Sequence, residues 1–169
     1  MNKIGIFYGS TTGTAEDIAR KIAAKLNLPK TDIYDASKIT EELVKQYDVL
    51  LLGTSTWGDG ELQDDWYDGV KVLKAAGISH KYVALFGCGD AESYSDTFCG
   101  GMGNLYEDLK DTGCTFCGAT DTDGYSFSAS GSVVNDKFVG LAIDEVNEDD
   151  KTDGRIDNWI EILKKECLN

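Results

Sequence analysis

The chain alternates between short strand-like runs and longer amphipathic segments. The runs Asp48–Thr54 and Lys81–Gly87 are continuously apolar, which is typical of strands buried on both faces of a sheet. Shorter runs of the same kind precede and follow them, and a further apolar run comes after a polar stretch late in the chain. The predicted strands are therefore Lys3–Tyr8, Thr31–Asp35, Asp48–Thr54, Lys81–Gly87 and Cys114–Ala119, with the late run at Phe138–Ile143.

Between these runs, apolar residues recur at three- and four-residue spacings, which predicts helices with one buried face. In Thr14–Leu26 the residues Ile18, Ile22 and Leu26 form such a stripe. Other helices are predicted at Ile39–Gln46, around Trp66, Val70 and Leu73, around Leu105 and Leu109 up to Gly113, and around Ile156, Trp159, Ile160 and Leu163.

Five successive β-α units predict an α/β fold: one domain over residues 1–169, with a doubly wound, five-stranded parallel sheet in the order 2-1-3-4-5. Ligands of such sheets bind at the carboxyl ends of the strands, near the point where the strand order reverses. The loops after strands 1, 3 and 4 meet there. These loops read GSTTGT, STWGDGELQDDW and CGDAESYSDTFCGG.

The charge of the chain narrows its possible partners. Thirty acidic residues face sixteen basic ones, a formal net charge of −14. This balance argues against nucleic acid and anionic membranes, because no basic field attracts phosphates. MNKIGIFYGS has too short an apolar stretch for a signal peptide, and no run approaches transmembrane length. We therefore expect a cytoplasmic protein whose partners present basic faces.

The five cysteines indicate neither a disulfide framework nor a metal centre. They are Cys88, Cys99, Cys114, Cys117 and Cys167, and the chain has a single histidine, His80. Cys114 and Cys117 form a CxxC motif on a predicted strand, where a spacing of three places them on opposite faces. We expect buried, structural cysteines.

The first loop suits a small anion. Ser10, Thr11, Thr12 and Thr14 supply hydroxyl groups where a strand passes into a helix, and Gly13 permits close approach of the backbone. The lysine of a Walker loop and the GxGxxG of a dinucleotide site are both absent. A terminal phosphate monoester fits best, and an ordinary helix cap is the alternative.

The second and third loops add exposed aromatic residues. Trp57 and Tyr94 stand in polar, glycine-rich or acidic segments, outside any apolar periodicity. Either ring alone is explained by packing. Two rings in adjacent loops beside a phosphate loop instead suggest a planar ring system held between them.

Over essentially its whole length the sequence resembles the long-chain flavodoxins. The resemblance rests on IGIFYGSTTGTAEDIA, LLLGTSTWGDGELQDDW, LFGCGDAESYSDTFCGGMG and GYSFSASGSVVNDKFVGLAIDEVN. It implies a monomeric, low-potential one-electron carrier with non-covalent FMN, cycling between semiquinone and hydroquinone, and not an enzyme. It also implies that Asp121–Asp136 interrupt the fifth strand, and that partners are basic-faced redox proteins such as a flavodoxin/ferredoxin NADP reductase.

The resemblance also implies roles for individual residues. Ser10–Ala15 would surround the phosphate, Trp57 and Tyr94 would flank the isoalloxazine, and Asp90 and Cys99 would contact its pyrimidine end. Ala15 departs from the family pattern [ST]xTGxT and removes one donor. The expected cofactor-binding set is Ser10, Thr11, Thr12, Gly13, Thr14, Ala15, Thr54, Ser55, Thr56, Trp57, Gly58, Asp59, Gly60, Cys88, Gly89, Asp90, Tyr94, Thr97, Phe98 and Cys99.

Two further expectations concern electron transfer. The Gly58 carbonyl is expected to accept a hydrogen bond from N5 of the neutral semiquinone, because glycine can turn its peptide over. Acidic residues around the second and third loops are expected to disfavour the anionic hydroquinone and to dock basic partners. These residues are Asp59, Glu61, Asp64, Asp65, Asp68, Asp90, Glu92 and Asp96.

Three other classes compete with an electron carrier. A flavin-dependent quinone reductase needs a proton donor, and His80 lies at the wrong end of the predicted sheet. A phosphorylation receiver needs an aspartate ending strand 3 and a lysine ending strand 5, where the chain has Gly53–Ser55 and Ala119–Thr120. A pure interaction module leaves the aromatic residues and the hydroxyl cluster unexplained.

Overall fold

A computed structural model describes residues 2–168. The described strands are β1 Ile4–Gly9, β2 Ile33–Asp35, β3 Val49–Thr54, β4 Thr56–Trp57, β5 Glu61–Leu62, β6 Tyr82–Cys88, β7 Thr115–Cys117, β8 Thr120–Asp121, β9 Val133–Val134, β10 Lys137–Phe138 and β11 Gly140–Ile143. The α-helices are α1 Thr14–Lys25, α2 Glu41–Lys45, α3 Asp65–Ala76, α4 Gly100–Leu109 and α5 Thr152–Glu166. Short 3₁₀ turns occur at Lys30–Asp32, Ala36–Lys38 and Asp149–Lys151.

The central sheet has the order β2-β1-β3-β6-β11, and all of its strand pairs are parallel. This confirms the predicted doubly wound α/β fold and the strand order 2-1-3-4-5. β1 lies between β2 and β3, so the chain reverses its direction of winding beside β1. The loops that follow β1, β3 and β6 consequently meet at one edge of the sheet.

The fifth strand is interrupted, as the resemblance implies, but its carboxyl end differs from the prediction. β7 pairs with the amino half of β6, and β11 pairs with the carboxyl half, from Gly140 beside Leu85 to Ile143 beside Cys88. The chain leaves the sheet after β7 at Gly118, whose φ is +84°. The prediction that strand 5 ends at Ala119 is therefore wrong: its carboxyl end is Ile143. The intervening segment adds a small antiparallel sheet, β8-β10-β9.

Helices cover both faces of the sheet and create two cores. α1 and α5 bury one face around Trp159, and α2, α3 and α4 bury the other around Trp66. Burial on both faces explains why β3 and β6 are continuously apolar. Cys117 belongs to the α1/α5 core and Cys114 packs against the other core, so the CxxC residues lie on opposite faces as predicted.

Helix boundaries depart from the sequence pattern by a few residues. α2 begins at Glu41 because the Thr40 hydroxyl accepts a hydrogen bond from the Leu43 N–H at 3.2 Å and caps the helix. α4 ends at Leu109, four residues before the predicted end at Gly113. Among the described residues, no helix is long and apolar enough to cross a membrane.

Candidate functional site

The carboxyl edge of the sheet carries a narrow cleft of about 110 Å³ between the second and third loops. Its lining residues were predicted from sequence, and two of them are large exposed aromatics. Trp57 is 42% exposed and Tyr94 is 57% exposed. The lining consists of Thr56, Trp57, Gly58, Gly89, Asp90, Tyr94, Thr97, Phe98 and Cys99.

The first loop presents an uncapped helix N-terminus. Gly13 is the N-cap of α1 at φ +98°, and its residue type provides no side chain to cap the helix. The Ser10 hydroxyl turns back and accepts the Gly13 N–H at 3.0 Å, while Thr11 and Thr12 are exposed. The first-turn N–H groups of α1 therefore remain available to an anion.

Ala15 follows this turn with its side chain fully buried in the α1/α5 core. The methyl group faces apolar neighbours and not the loop, so the hydroxyl donor that the family pattern places here has no substitute at this position. Thr14, one residue earlier and only partly buried, is the nearest hydroxyl in the helix.

The second loop is a tight hairpin in which Trp57 pairs with Glu61. The Trp57 indole N–H donates to the Ser55 hydroxyl at 2.9 Å, which fixes the ring beside the cleft. Gly58 has φ +51°, in the left-handed region that side chains disfavour. A Cβ on Gly100 of α4 would lie 2.8 Å from the Gly60 Cα, so the hairpin packs directly on the α4 backbone.

Gln63 is a buried site residue that the sequence analysis missed. Its side-chain amide donates to the Thr11 hydroxyl at 3.2 Å and to Asp65 at 3.0 Å. Its backbone N–H donates to the Thr54 hydroxyl at 3.1 Å. Gln63 thus ties the second loop to the first. Thr54 is fully buried in this network and does not line the cleft. Gln63 lies in the segment LLLGTSTWGDGELQDDW that carries the resemblance, but nothing in the sequence assigned it a role.

The third loop is organised around the Asp90 carboxylate. Its Oδ1 accepts the N–H of Ser93 at 3.0 Å and the N–H of Glu92 at 3.2 Å. The hydrogen bond from Ser93, together with the side-chain amide of Asn147, holds the pKa of Asp90 below its usual range. Asp90 is therefore ionised at neutral pH.

The two cysteines of the third loop are buried beneath it. Burial raises the pKa of the Cys88 thiol to about 12 and that of Cys99 well above its ordinary value. Cys99 caps α4 with φ +52°, so its backbone faces the loop while its thiol lies inside the protein. Both thiols are protonated at neutral pH.

A fourth loop, residues 144–148 after β11, completes the edge and was not predicted as part of the site. Asp144 is fully buried, and its carboxylate accepts the Ala91 N–H at 3.1 Å and the Asn147 N–H at 3.0 Å. The Asn147 side-chain amide donates to Asp90 at 2.9 Å and to Asp144 at 2.9 Å. The sequence analysis took strand 5 to end at Ala119–Thr120 and therefore did not assign to the site the loop that begins at Asp144, after the carboxyl end at Ile143.

The rim of the cleft is strongly negative. Of the eight acids predicted around the second and third loops, Asp68 forms an ion pair with Lys71 at 4.0 Å. Within residues 2–168, the remaining seven acids form no ion pair. Over that same range, no group of three or more His, Cys, Asp or Glu side chains is suitably placed to hold a metal ion.

These features define a doubly wound α/β protein with a cleft for a planar, phosphorylated ligand at its switch point. The flavodoxin family model matches residues 6–159. The chain belongs to the flavodoxin family.

Individual relatives agree over nearly the full length. The chain is 41% identical to flavodoxin 1 of Azotobacter vinelandii over 99% of both chains, and 42% identical to flavodoxin 1 of Escherichia coli K12 over 96% of this chain and 93% of that one. Among solved structures, Fusobacterium nucleatum flavodoxin bound to flavin mononucleotide matches with a TM-score of 0.87 and 34% identity, covering 98% of this chain and 99% of that one.

Proposed function

We propose that this chain is a low-potential one-electron carrier that holds FMN non-covalently at the carboxyl edge of its sheet. Flavodoxins are electron carriers and not enzymes, and the chain belongs to that family. The observation that carries the proposal is the cleft lined by Trp57 and Tyr94, together with a neighbouring pocket in which Trp57 meets Thr11, close to the uncapped N-terminus of α1. When bound, FMN supplies two successive one-electron steps.

The first loop would hold the phosphate. The first-turn N–H groups of α1 carry partial positive charge, and hydroxyls of Ser10, Thr11, Thr12 and Thr14 surround them. No cation is needed, because one monoester is satisfied by several N–H and O–H donors. The donor missing at Ala15 is expected to cost FMN affinity about 1.5–3 kcal/mol unless Thr14 compensates.

The second and third loops would hold the ring. Trp57 and Tyr94 supply two exposed aromatic faces on opposite sides of the cleft. The backbone of residues 56–60 and 88–99 would read the polar edge, with Cys99 contributing its main chain because its thiol is buried. Gly58 would present its carbonyl to the flavin from a turn whose φ of +51° suits glycine.

The acidic residues around the second and third loops would lower the potential of the second one-electron step, which forms the anionic hydroquinone. A carboxylate about 10 Å from a second negative charge costs roughly 1.7 kcal/mol at an effective dielectric constant of 20, before screening by salt. A tenfold change in a one-electron equilibrium corresponds to about 59 mV, so each such carboxylate contributes tens of millivolts. Several unpaired acids on one rim therefore make a strong reductant.

The same rim would recognise partners. We place the exchange in the cytoplasm, between a monomeric carrier and redox proteins with basic faces, such as a flavodoxin/ferredoxin NADP reductase. Charge complementarity chiefly raises the rate of association, so transfer should slow as ionic strength rises. Glu61→Gln should slow transfer at low salt, whereas Glu161→Gln on α5, which packs on the opposite face of the sheet from α3, should not. Equal rates for both variants would contradict this docking role.

The deciding experiment is an absorption spectrum of the purified protein during stepwise anaerobic reduction. A yellow protein that turns blue after one electron and nearly colourless after two is the expected result. A flavin that bleaches directly, without a blue stage, would instead favour two-electron enzyme chemistry of the quinone reductase kind. A colourless protein that takes up no FMN would overturn the proposal.

A further inference from the structure

The sulfur atoms of two cysteines lie in contact towards the amino end of the sheet, away from the cleft. Cys117 ends β7, and Cys167 follows the last residue of α5. The two residues are 50 positions apart in sequence, yet their Sγ atoms are 2.9 Å from one another. Both side chains are buried, at 6% and 4% exposure. A covalent disulfide has its sulfurs about 2.0 Å apart, so a closure of roughly 0.9 Å would join this pair.

The backbone segments that carry the two sulfurs are fastened to the fold independently of them. The N–H of Gly118, which follows Cys117, donates to the carboxylate of Glu166, which precedes Cys167, at 2.8 Å. The Asn2 side-chain amide donates to the Cys167 carbonyl at 2.9 Å. The Cys167 N–H donates to the Leu163 carbonyl at 2.8 Å. The proximity of the sulfurs is therefore held by three hydrogen bonds that involve no sulfur atom.

The hydrogen bond between the thiols makes them chemically unequal. The Cys117 S–H donates to the Cys167 sulfur. This bond lowers the pKa of Cys167, while it and burial raise that of Cys117. The thiolate is the nucleophile in thiol–disulfide exchange, so Cys167 is suited to attack first and Cys117 to resolve the product.

A cavity at the protein surface borders the pair at Cys117. Cys117 and Glu166 line a cavity of about 390 Å³ together with Tyr106, Phe116 and Lys137. Cys117 lies beside Ala84, in the amino half of β6, whereas the cofactor loop begins after Cys88 at the other end of that strand. A small reagent in this cavity therefore meets Cys117 and Glu166, the residue before Cys167, and the cavity is remote from the cleft.

We propose that Cys117 and Cys167 form a second redox site, a dithiol that low-molecular-weight disulfides oxidise reversibly to an intramolecular disulfide. The Cys167 thiolate attacks one sulfur of the reagent RSSR and releases RS⁻, giving a mixed disulfide. Cys117 then transfers its proton to the first RS⁻, and its sulfur displaces the second RS⁻ from Cys167; this RS⁻ takes up from solvent the proton that Cys167 released on ionisation. Two protein thiols are oxidised, and RSSR is reduced to two thiols. The new bond links the fifth strand to the end of the closing helix.

Anaerobic incubation of the FMN-loaded protein with excess glutathione disulfide, followed by alkylation and non-reducing proteolysis, tests the proposal. The expected product is one cross-linked peptide pair containing Cys117 and Cys167, reversed by dithiothreitol. A cross-link over a separation of 50 residues should raise the Tm by about 10 °C, because it restricts the unfolded chain. The FMN dissociation constant should not change, since the pair lies away from the cleft.

Cys114→Ser is the matched control, because Cys114 immediately precedes β7 and packs against the opposite core. It should keep both the cross-link and the rise in Tm, and Cys167→Ser should lose both. A Cys114–Cys117 bridge, a stable glutathione adduct without an internal bridge, or full retention of the five thiols would each overturn the proposal. The wild-type and Cys114→Ser digests decide the outcome even if Cys167→Ser folds poorly.

Discussion

Replacing Asn147 with alanine tests whether the fourth loop supports the cofactor site. The Asn147 side-chain amide donates to Asp90 at 2.9 Å and to the buried Asp144 at 2.9 and 3.2 Å. Its amide therefore joins these two carboxylates. Asp90 in turn shapes the loop that carries Tyr94, whose N–H donates to the Asp90 carbonyl. Removing the amide should loosen the third loop without disturbing either core.

The magnitude follows from what each carboxylate retains. Asp144 keeps two backbone N–H donors, from Ala91 and Asn147, and Asp90 keeps those of Glu92 and Ser93. Neither charge is left unpartnered, and Asn147 is only half-buried, so water replaces part of the lost hydrogen bonds and the net cost is about 2–3 kcal/mol, below the sum of about 1.5–3 kcal/mol for each bond. For a chain of this size, that predicts a fall in Tm of about 4–12 °C.

Thermal unfolding and FMN titration of Asn147→Ala provide the assay, with the exposed Asn158→Ala as control. We expect the lower Tm and weaker FMN binding in the first variant only. The difference in Tm between the wild type and Asn147→Ala should depend on pH. Asp90 has a folded pKa below its unfolded value of about 3.9, so its stabilisation is present above that pH and is lost as pH falls through the folded pKa. The gap between wild type and variant should therefore narrow in acid. Matching Tm and FMN affinity in the two variants would refute the reasoning.

Other predictions concern glycines. Gly58→Val, at φ +51°, should alter the separation between the two one-electron reduction potentials while FMN stays bound, and an unchanged separation in potentiometry would remove Gly58 from this role. Gly53→Ala would bring a Cβ to 2.0 Å from the Phe86 ring and should destabilise the core by about 1–3 kcal/mol or more in denaturant unfolding. Gly131→Ala, whose added Cβ would have no atom within 4 Å apart from its own residue and its chain neighbours, should be close to neutral. Comparable losses of stability in Gly53→Ala and Gly131→Ala would argue against overpacking.

Much of the fold was determined by the linear pattern. Burial on both faces requires the continuous apolar runs of β3 and β6, and a helix with one buried face requires the stripe of α1. The strand order was predicted because 2-1-3-4-5 is a common order for five successive β-α units. The cleft was predictable for the same reason. Glycines, hydroxyls and the two exposed aromatics Trp57 and Tyr94 are unusual at strand ends, and the order of strands brings those ends together.

Tertiary structure alone decided which polar groups hold the loops. Gln63, Asp144 and Asn147 lie in segments that carry the resemblance, but their partners are set by how separate loops pack. The apolar run that ends at Ile143 was visible in the sequence, but its pairing with the carboxyl half of β6, which makes it the end of the fifth strand, depends on the fold. The same physics explains Cys117 and Cys167: side chains 50 residues apart meet because a strand and a closing helix share one core. Periodicity specifies the faces of elements, whereas contacts between remote residues depend on the packing of those faces.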